Sequence, residues 1–284
     1  MIRIAIQKSG RLSEDSIKLF KACGIQFESG SSGKLKSDST NFPAEFLFLR
    51  DDDIPGYVED GVADLGIVGQ NVLVETGRQV EVAYHLGFSK CRLSLAILRS
   101  EKYEGIASLQ GKNIATSYPR ILGNYLAEND VTAHIHEISG SVEIAPSIGL
   151  AEAICDIVSS GSTLLSNGLK EVETIFKSEA VLIANQHLNE EKRAILNQLL
   201  FRIKAVQAAQ NNKYILLNCP REAVDTIASL IPGMKSPTIV PLTTEGWVSL
   251  HSVINENDFW ENIEKIRAAG AEGILVIPIE KMIR

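Results

Sequence analysis

The chain has 284 residues, of which 45% are hydrophobic and 22% are charged, and its net charge is −7. This balance excludes a disordered, collagen-like or coiled-coil protein, and the length suffices for about two domains. Binding along nucleic-acid phosphates needs clustered lysine and arginine. The acidic balance therefore predicts no nucleic-acid partner and leaves room only for local anion sites.

The spacing of cysteines, histidines and apolar residues excludes further classes. The cysteines at 23, 91, 155 and 219 form no close pair, and the five histidines show no metal-ligand spacing. We therefore expect neither a zinc site nor a disulfide framework. No apolar run reaches about 18 residues, and the first residues turn polar too early for a signal peptide. These patterns predict a cytoplasmic protein with no membrane partner.

The first part of the chain alternates between strand and helix patterns. Strands are predicted at 2–6, 45–49 and 63–68, and helices at 14–23 and 54–60, with Ser13 and Asp53 as N-caps. Residues 29–39 are rich in glycine, serine and lysine and predict a mobile loop. Such alternation is typical of a parallel or mixed sheet with helices on its faces.

A second α/β unit begins near Cys91. Its strands are predicted at 92–98, 112–116, 134–138 and 154–158, and its helices at 119–126 and 146–153. Residues 178–184 predict a strand that crosses back to the first unit, and Asn189 begins a helix that runs to about residue 210. Two α/β units joined by two crossing segments form a hinged protein with a cleft.

The chain beyond residue 213 has a different pattern. Strands are predicted at 214–217, 238–241, 247–253 and 273–278, and helices at 221–230 and 258–269. This β-α-β-β-α-β order is the ferredoxin-like plan. The polar residues 207–212 mark the expected boundary before it.

The segment DIVSSGST at 156–163 carries the strongest indication of chemistry. We expect Asp156 near the start of a buried strand, residues 159–162 in a tight turn, and Thr163 as the cap of the next helix. Backbone N–H groups and hydroxyls around such a turn form an anion cradle, and Gly161 leaves space for a phosphate. Asp156 then accepts hydrogen bonds from sugar hydroxyls. An ordinary serine–glycine turn is the alternative interpretation.

The segment QKSGR at 7–11 is the second candidate, because it follows a strand and precedes a helix. Ligands of α/β sheets bind at the carboxyl ends of strands, and Lys8 and Arg11 carry charge for a phosphate. An exposed polar loop is the alternative here. Arg50 and Asp51, which follow the strand at 45–49, are further candidates for a cleft.

Several blocks of sequence, in this order, resemble the ATP phosphoribosyltransferase family. They are IAIQKSGRL, LRDDDIPGYVEDGVADLGIVG, CRLSLA, IATSYP, GSVEIAPSIGLAEAICDIVSSGSTL and SPTIVPL. The resemblance covers nearly the whole chain, including its last part, and is therefore to the long form with a regulatory domain. The loop 30–33 matches no motif of the family, and position 162 varies within it.

The resemblance implies an α/β fold with a two-lobed, periplasmic-binding-protein-like catalytic core and a C-terminal ferredoxin-like regulatory domain. The first lobe is expected at 1–90 plus 180–210, the second lobe, with the phosphoribosyl pyrophosphate loop, at 91–179, and the regulatory domain at 213–284.

The implied activity is a pentosyl transfer. The enzyme joins N1 of the adenine of ATP to C1 of 5-phosphoribosyl 1-pyrophosphate and releases pyrophosphate, the first step of histidine biosynthesis. Mg²⁺ accompanies the pyrophosphate, with Glu143 and Asp156 as the implied metal-binding and catalytic carboxylates and Lys8 and Arg11 as the implied catalytic cations. We expect no nucleophile, because placing two polyanions and stabilising a cation-like ribosyl centre carry most of the rate.

The resemblance also implies the ligand sites. The residues implied for phosphoribosyl pyrophosphate are Asp156, Ser159, Ser160, Gly161, Ser162, Thr163 and Leu164. Those implied for ATP are Gln7, Lys8, Gly10, Arg11, Arg50, Asp51, Gly69, Thr116, Ser117, Tyr118 and Pro119. Histidine is the implied inhibitor, held in the last domain by Ser236 and Thr238. A homo-oligomer, from dimer to hexamer, is the implied assembly.

Two other functions are compatible with the sequence pattern. The first is a two-lobed binding or sensor protein for a small molecule, because the same scaffold hosts many functions. The second is a transferase that uses another nucleobase as its acceptor. The missing signal peptide and the 156–163 cradle favour the enzyme over the binding protein.

Overall fold

The computed structural model of the chain describes residues 1–28, 34–231 and 236–283. These residues divide into two units, 1–21 with 25–196 and 22–24 with 197–284. The first unit contains two β-sheets and the second contains one. The division falls inside a long helix, whereas the sequence predicts a boundary at 207–212, where that helix ends.

The first sheet of the first unit has six strands in the order β2-β3-β1-β4-β11-β5. The strands are β1 (Ile2–Gln7), β2 (Lys36–Asp38), β3 (Ala44–Leu49), β4 (Leu65–Gly69), β5 (Glu81–His85) and β11 (Ala180–Ala184), and the helices are α1 (Arg11–Ala22), α2 (Ile54–Glu59) and α3 (Gln70–Thr76). The central strands β3, β1 and β4 are parallel, and β11 runs antiparallel between β4 and β5. The chain thus leaves this sheet after β5 and returns to it with β11.

The central strands are apolar along their length because helices cover them. Ile4 and Ile6 of β1 and Phe46 of β3 are fully buried. Gly66 of β4 allows α2 to approach closely, since a Cβ atom there would lie 2.6 Å from Cγ2 of Ile54. This close packing holds α2 against β4.

The second sheet has five strands in the order β10-β6-β9-β7-β8. The strands are β6 (Cys91–Leu98), β7 (Asn113–Thr116), β8 (His134–Glu137), β9 (Ala153–Val158) and β10 (Leu169–Ser178), and the helices are α4 (Pro119–Glu128) and α5 (Ser162–Ser166). Strands β8, β7 and β9 are parallel, whereas β6 and β10 are antiparallel to their neighbours. The predicted crossing is confirmed, because β10 ends in this sheet and β11 begins two residues later in the first.

The second unit contains the third sheet and most of α6 (Glu190–Gln210). Its elements are β12 (Asn212–Pro220), α7 (Val224–Leu230), β13 (Thr238–Pro241), β14 (Trp247–Asn255), α8 (Glu256–Ala268) and β15 (Glu272–Pro278). The antiparallel strand order β13-β14-β12-β15 confirms the ferredoxin-like plan. Among the described residues, no helix is long and apolar enough to cross a membrane.

Two predicted features near the N-terminus are wrong, and a third is wrong in part. The first helix begins at Arg11, because the N–H of Glu14 already bonds to the carbonyl of Gly10, and Ser13 is buried inside it. Asp53 makes no side-chain cap for α2. The predicted mobile loop contains β2, which pairs with β3, while its residues 29–33 lie outside the described residues.

Around the serine-rich segment, three further predictions are wrong. Residues 146–153 form no helix. A 3₁₀ turn at Val142–Ile144 is followed by further turns, and the N–H of Leu150 donates to the carbonyl of Ala145. Asp156 lies in the second half of β9 rather than near its start. Gly161, not Thr163, occupies the cap position of α5.

A bidentate salt bridge links β6 to β10 in the second lobe. Arg92 donates from Nε to Oε1 of Glu171 at 2.5 Å and from Nη2 to Oε2 at 2.6 Å, and its Nη1 also donates to the Ser159 carbonyl at 3.3 Å. Arg92 and the hydroxyl of Ser94 both bind the charged form of Glu171 and hold its pKa below the ordinary value. The pair links the sheet to the start of the 159–163 turn.

Replacing Glu171 by Gln should lower the free energy of unfolding by about 1 kcal/mol at pH 7, after allowance for solvent screening. Because the pKa of Glu171 is depressed, its stabilisation is present above the ordinary glutamate pKa and is lost as the pH falls below it. Urea unfolding at pH 7 and at acidic pH measures the difference in the free energy of unfolding and its dependence on pH. Glu104→Gln, an exposed position in the same lobe, is the control. A pH-independent difference would contradict the assignment.

Candidate functional site

The carboxyl ends of the parallel strands in the first sheet bring several predicted residues together. Lys8 follows β1, Arg50 follows β3, and Gly69 ends β4. The pairing of β1 with β3 ends at Gln7 opposite Leu49, and the N–H of Lys8 continues it to the Leu49 carbonyl at 2.8 Å. These positions lie at one edge of the sheet, where ligands of α/β folds bind.

Three cations stand at or beside this edge. Lys8, Arg11 and Arg50 are exposed. Within the described part of the chain, none of them forms an ion pair. Gly10 precedes Arg11, the first residue of α1. The edge therefore presents positive charge that is available to a polyanion.

The second sheet has a corresponding edge, at the carboxyl ends of β7, β8 and β9. Thr116 is buried, and its hydroxyl donates to the Cys155 carbonyl at 2.7 Å and accepts the N–H of Tyr118 at 2.9 Å. The hydroxyl of Ser117 donates to the Ile138 carbonyl at 2.6 Å. Both hydroxyls thus shape this edge through backbone contacts, and Pro119 begins α4.

Asp156 and Glu143 form an acidic pair at the same edge. Burial raises the pKa of Asp156, and the negative charge of Glu143 raises it further. The N–H of Ile157, which donates to Oδ1 of Asp156 at 2.7 Å, opposes that rise. A carboxylate in this setting gains from a positive ligand or from hydroxyl donors, because either one stabilises its charged form.

The turn after Asp156 has the composition of an anion cradle. Ser159, Ser160, Ser162 and Thr163 are exposed, and the hydroxyls of Ser160 and Ser162 lie 2.9 Å apart. Gly161 has a φ of +79°, a left-handed conformation that other residues adopt at a cost. Leu164 is buried and anchors the turn to the lobe.

The two lobes together line a cavity of about 520 Å³. Asp51 and Asp52 line it from the first lobe and Tyr118 from the second, and Glu75 and Glu137 add two acids that the sequence reading missed. Burial raises the pKa of Asp52, and its acidic neighbours add to the rise. Nothing in the local sequence around Glu75 or Glu137 distinguishes them from surface glutamates.

A second cavity of about 490 Å³ lies against the serine-rich turn. Gln70 lines it from the first lobe and Ser159 from the second, and Lys90, Arg92 and Lys177 make its wall basic. These cations were also missed, because they come from the two segments that cross between the lobes and are distant in sequence. The charged side chains that line the two cavities are of opposite sign, and the basic cavity adjoins the serine-rich turn.

The donor set for a metal ion is sparse. Within residues 1–28, 34–231 and 236–283, no group of three or more His, Cys, Asp or Glu side chains could hold a metal. Glu143 and Asp156 nevertheless fit Mg²⁺, which proteins often hold through one or two carboxylates while substrate phosphates supply the other ligands.

The residues predicted for histidine lie in the second unit. Thr238 begins β13 and pairs opposite His251 of β14, and Ser236 precedes that strand. Both Ser236 and Thr238 are exposed. His251 is held by the hydroxyls of Tyr214 and Ser249 at 2.8 and 3.0 Å, a cluster that the sequence pattern did not reveal.

Comparison with solved structures agrees with this architecture. A chain of the "ATP phosphoribosyl transferase (HisG:HisZ) complex from Thermotoga maritima" is 28% identical, with a TM-score of 0.61, and covers 72% of this chain and 99% of its own. A putative periplasmic sulfonate-binding protein from Methylobacillus flagellatus is 15% identical, with a TM-score of 0.51 over 72% of this chain and 66% of its own. The latter similarity concerns the two-lobed fold alone.

Comparison with protein families and curated sequences is more specific. The family model described as ATP phosphoribosyltransferase matches residues 50–205, and that described as HisG, C-terminal domain, matches residues 209–281. An ATP phosphoribosyltransferase of Cytophaga hutchinsonii is 63% identical over 100% of this chain and 99% of its own length. That of Phocaeicola vulgatus is 57% identical over the full length of both. The chain belongs to the ATP phosphoribosyltransferase family and is a pentosyltransferase.

Proposed function

We propose that this enzyme joins N1 of the adenine of ATP to C1 of 5-phosphoribosyl 1-pyrophosphate and releases pyrophosphate, the first step of histidine biosynthesis. One observation carries the proposal: the basic cavity is lined by Gln70, which follows the strand edge with the free cations, and by Ser159 of the cradle. The end of β4 in the first sheet and the serine-rich turn therefore border one basic cavity, which supports a reaction between two polyanions.

In this proposal the 159–163 turn holds the 5-phosphate, and Leu164 keeps the turn in place. Asp156 accepts hydrogen bonds from the ribose hydroxyls, and its negative charge, with that of Glu143, stabilises the positive charge that develops at C1. No side chain acts as a nucleophile. The adenine nitrogen attacks as pyrophosphate leaves, so most of the rate comes from alignment of the two substrates.

The nucleotide belongs at the other edge. Lys8, Arg11 and Arg50 face the charge of the triphosphate or of the leaving pyrophosphate, and the segment 116–119 forms the opposite wall. Gln7, Gly10, Asp51 and Gly69 complete the proposed ATP site. Glu143 and Asp156 would hold Mg²⁺ together with the substrate phosphates, and the ion would supply positive charge for the leaving pyrophosphate.

The second unit is proposed to sense histidine. Its family model is that of a separate C-terminal domain, and Ser236 and Thr238 offer exposed hydroxyls beside a strand start. Histidine bound there inhibits by favouring a less active homo-oligomer, between dimer and hexamer. The substrates proposed here are metabolites of the cytoplasm, which is the proposed location.

A direct assay tests the reaction. The purified chain is incubated with ATP, Mg²⁺ and phosphoribosyl pyrophosphate, and the absorbance of N1-substituted adenine is followed together with pyrophosphate release. We expect both signals only when all three components are present. Replacement of ATP by other nucleotides tests the alternative acceptor. Binding of a small molecule without turnover of any acceptor would instead favour a sensor protein.

Replacing Asp156 by Asn should lower kcat by at least about 100-fold, because an amide lacks the charge that stabilises the ribosyl centre. The fold should remain native by circular dichroism. Asp130→Asn, an exposed position in the same lobe, is the control and should keep full activity. Normal turnover in Asp156→Asn would show that the carboxylate has no such role.

Replacing Gly161 by Val should raise KM for phosphoribosyl pyrophosphate by roughly tenfold or more, since a β-branched residue strains the left-handed backbone of the cradle. The KM for ATP should change much less. Gly111→Val imposes a comparable strain, at a φ of +70°, on the turn before β7, away from the cradle. A rise in the KM for ATP alone would show that the turn binds ATP and not phosphoribosyl pyrophosphate.

Replacing Thr238 by Val should raise the histidine concentration for half-inhibition by roughly tenfold, through loss of one hydrogen bond to the ligand. Activity without histidine should not change. Thr226→Val, on the exposed side of α7, serves as the control. Unaltered inhibition in Thr238→Val, or competition between histidine and ATP, would contradict the proposed sensor site.

A further inference from the structure

Three side chains form a hydrogen-bonded bridge between the lobes. Asn71, in the first turn of α3, donates from Nδ2 to the hydroxyl of Tyr118 at 3.2 Å. Its Oδ1 accepts the hydroxyl of Ser178 at 2.8 Å, and its backbone N–H donates to the Ser178 oxygen at 3.0 Å. Asn71 and Ser178 are only 5% and 6% exposed. Both the Nδ2 and the Oδ1 of the Asn71 amide therefore have hydrogen-bond partners. Loss of either bond at this buried site would lower the stability of the fold.

The same helix holds the second lobe at another point. One turn after Asn71, the carboxylate of Glu75 accepts the N–H groups of Arg120 and Ile121 at 2.7 and 2.9 Å. These N–H groups belong to the first turn of α4, which the sequence supplies with no side-chain cap of its own. Helix α3 of the first lobe thus fixes the place where β7 ends and α4 begins.

The bridge lies between the two cavities of the cleft. Ser178 lines the basic cavity beside the phosphate cradle, and Tyr118 lines the acidic cavity. The two sequence neighbours of Asn71 also line these cavities: Gln70 lines the basic cavity and Val72 lines the acidic one. The bridge therefore sets the separation of the two sides of the cleft.

We propose that Asn71 is a positioning residue of the transfer reaction, which aligns the nucleotide side of the cleft with the phosphoribosyl side through Tyr118 and Ser178. Asn71 touches neither substrate in this proposal, which rests on the proposed function. Its loss relaxes the distance between the attacking nitrogen and C1 and removes no side chain from either substrate subsite. Such a change lowers kcat more than it raises either KM.

The chemistry of the bridge also predicts which substitution restores it. Burial raises the pKa of the Tyr118 hydroxyl, which therefore keeps its proton. In Asn71→Asp, Tyr118 and Ser178 both donate to the carboxylate, so the bridge survives with one bond reversed. In Asn71→Leu, a side chain of similar size makes neither bond.

A double-mutant cycle with Asn71→Leu and Tyr118→Phe tests the proposal in the full chain. We expect Asn71→Leu to lower kcat roughly 30-fold while each KM stays within about threefold, and Asn71→Asp to recover most of the loss. Because both residues act through one bond, the double variant should lose little more than Asn71→Leu alone. Asn124→Leu, on the exposed side of α4, is the matched control.

The possible outcomes separate the two proposals. Wild-type protein without transferase activity overturns the proposed function, whereas active wild-type protein with independent, multiplying effects of the two changes overturns the role of Asn71. A rise confined to one KM also overturns it, since it would mean direct contact with that substrate. Should Asn71→Leu fail to fold, the cycle with Ser178→Ala and Tyr118→Phe decides by the same criterion.

Discussion

The cleft depends on the packing of α3 against the junction of β7 and α4. This helix starts where β4 ends, at the same edge as Lys8 and Arg50, and its Asn71 and Glu75 bind the second lobe. That contact holds the carboxyl edges of the two sheets beside each other. The contact uses buried hydrogen bonds and a carboxylate at a helix start, and both depend strongly on geometry.

Charge is distributed unevenly along this cleft. Lys90 and Lys177 line the cavity beside the serine-rich turn, while Asp51, Asp52 and Glu137 line the cavity beyond Tyr118. A protein with a net charge of −7 would repel a polyanion if its charges were evenly spread. Separation of the two signs makes the basic side suited to anions and the acidic side suited to neutral or positive groups.

The serine-rich turn is supported from outside its own sequence. Arg92 holds the carbonyl of Ser159 while its guanidinium is bound by Glu171 on the edge strand β10. The buried side chain of Leu164 supports the other end of the turn. A flexible serine–glycine segment thereby gains a fixed shape without losing the exposed hydroxyls that a phosphate needs.

The sequence by itself determined many of the elements that local patterns encode, but not α3, β5 or β10. Most buried apolar strands, the crossing back at β11, the ferredoxin-like order of the last unit and the serine-rich turn after Asp156 follow from periodicity and turn composition. Local patterns failed where contacts decided the outcome, as at residues 146–153, where a helical pattern yields turns. Only the tertiary structure brought Asn71, Tyr118 and Ser178 together, because hydrogen bonds between residues 47 and 107 positions apart leave no trace in local sequence.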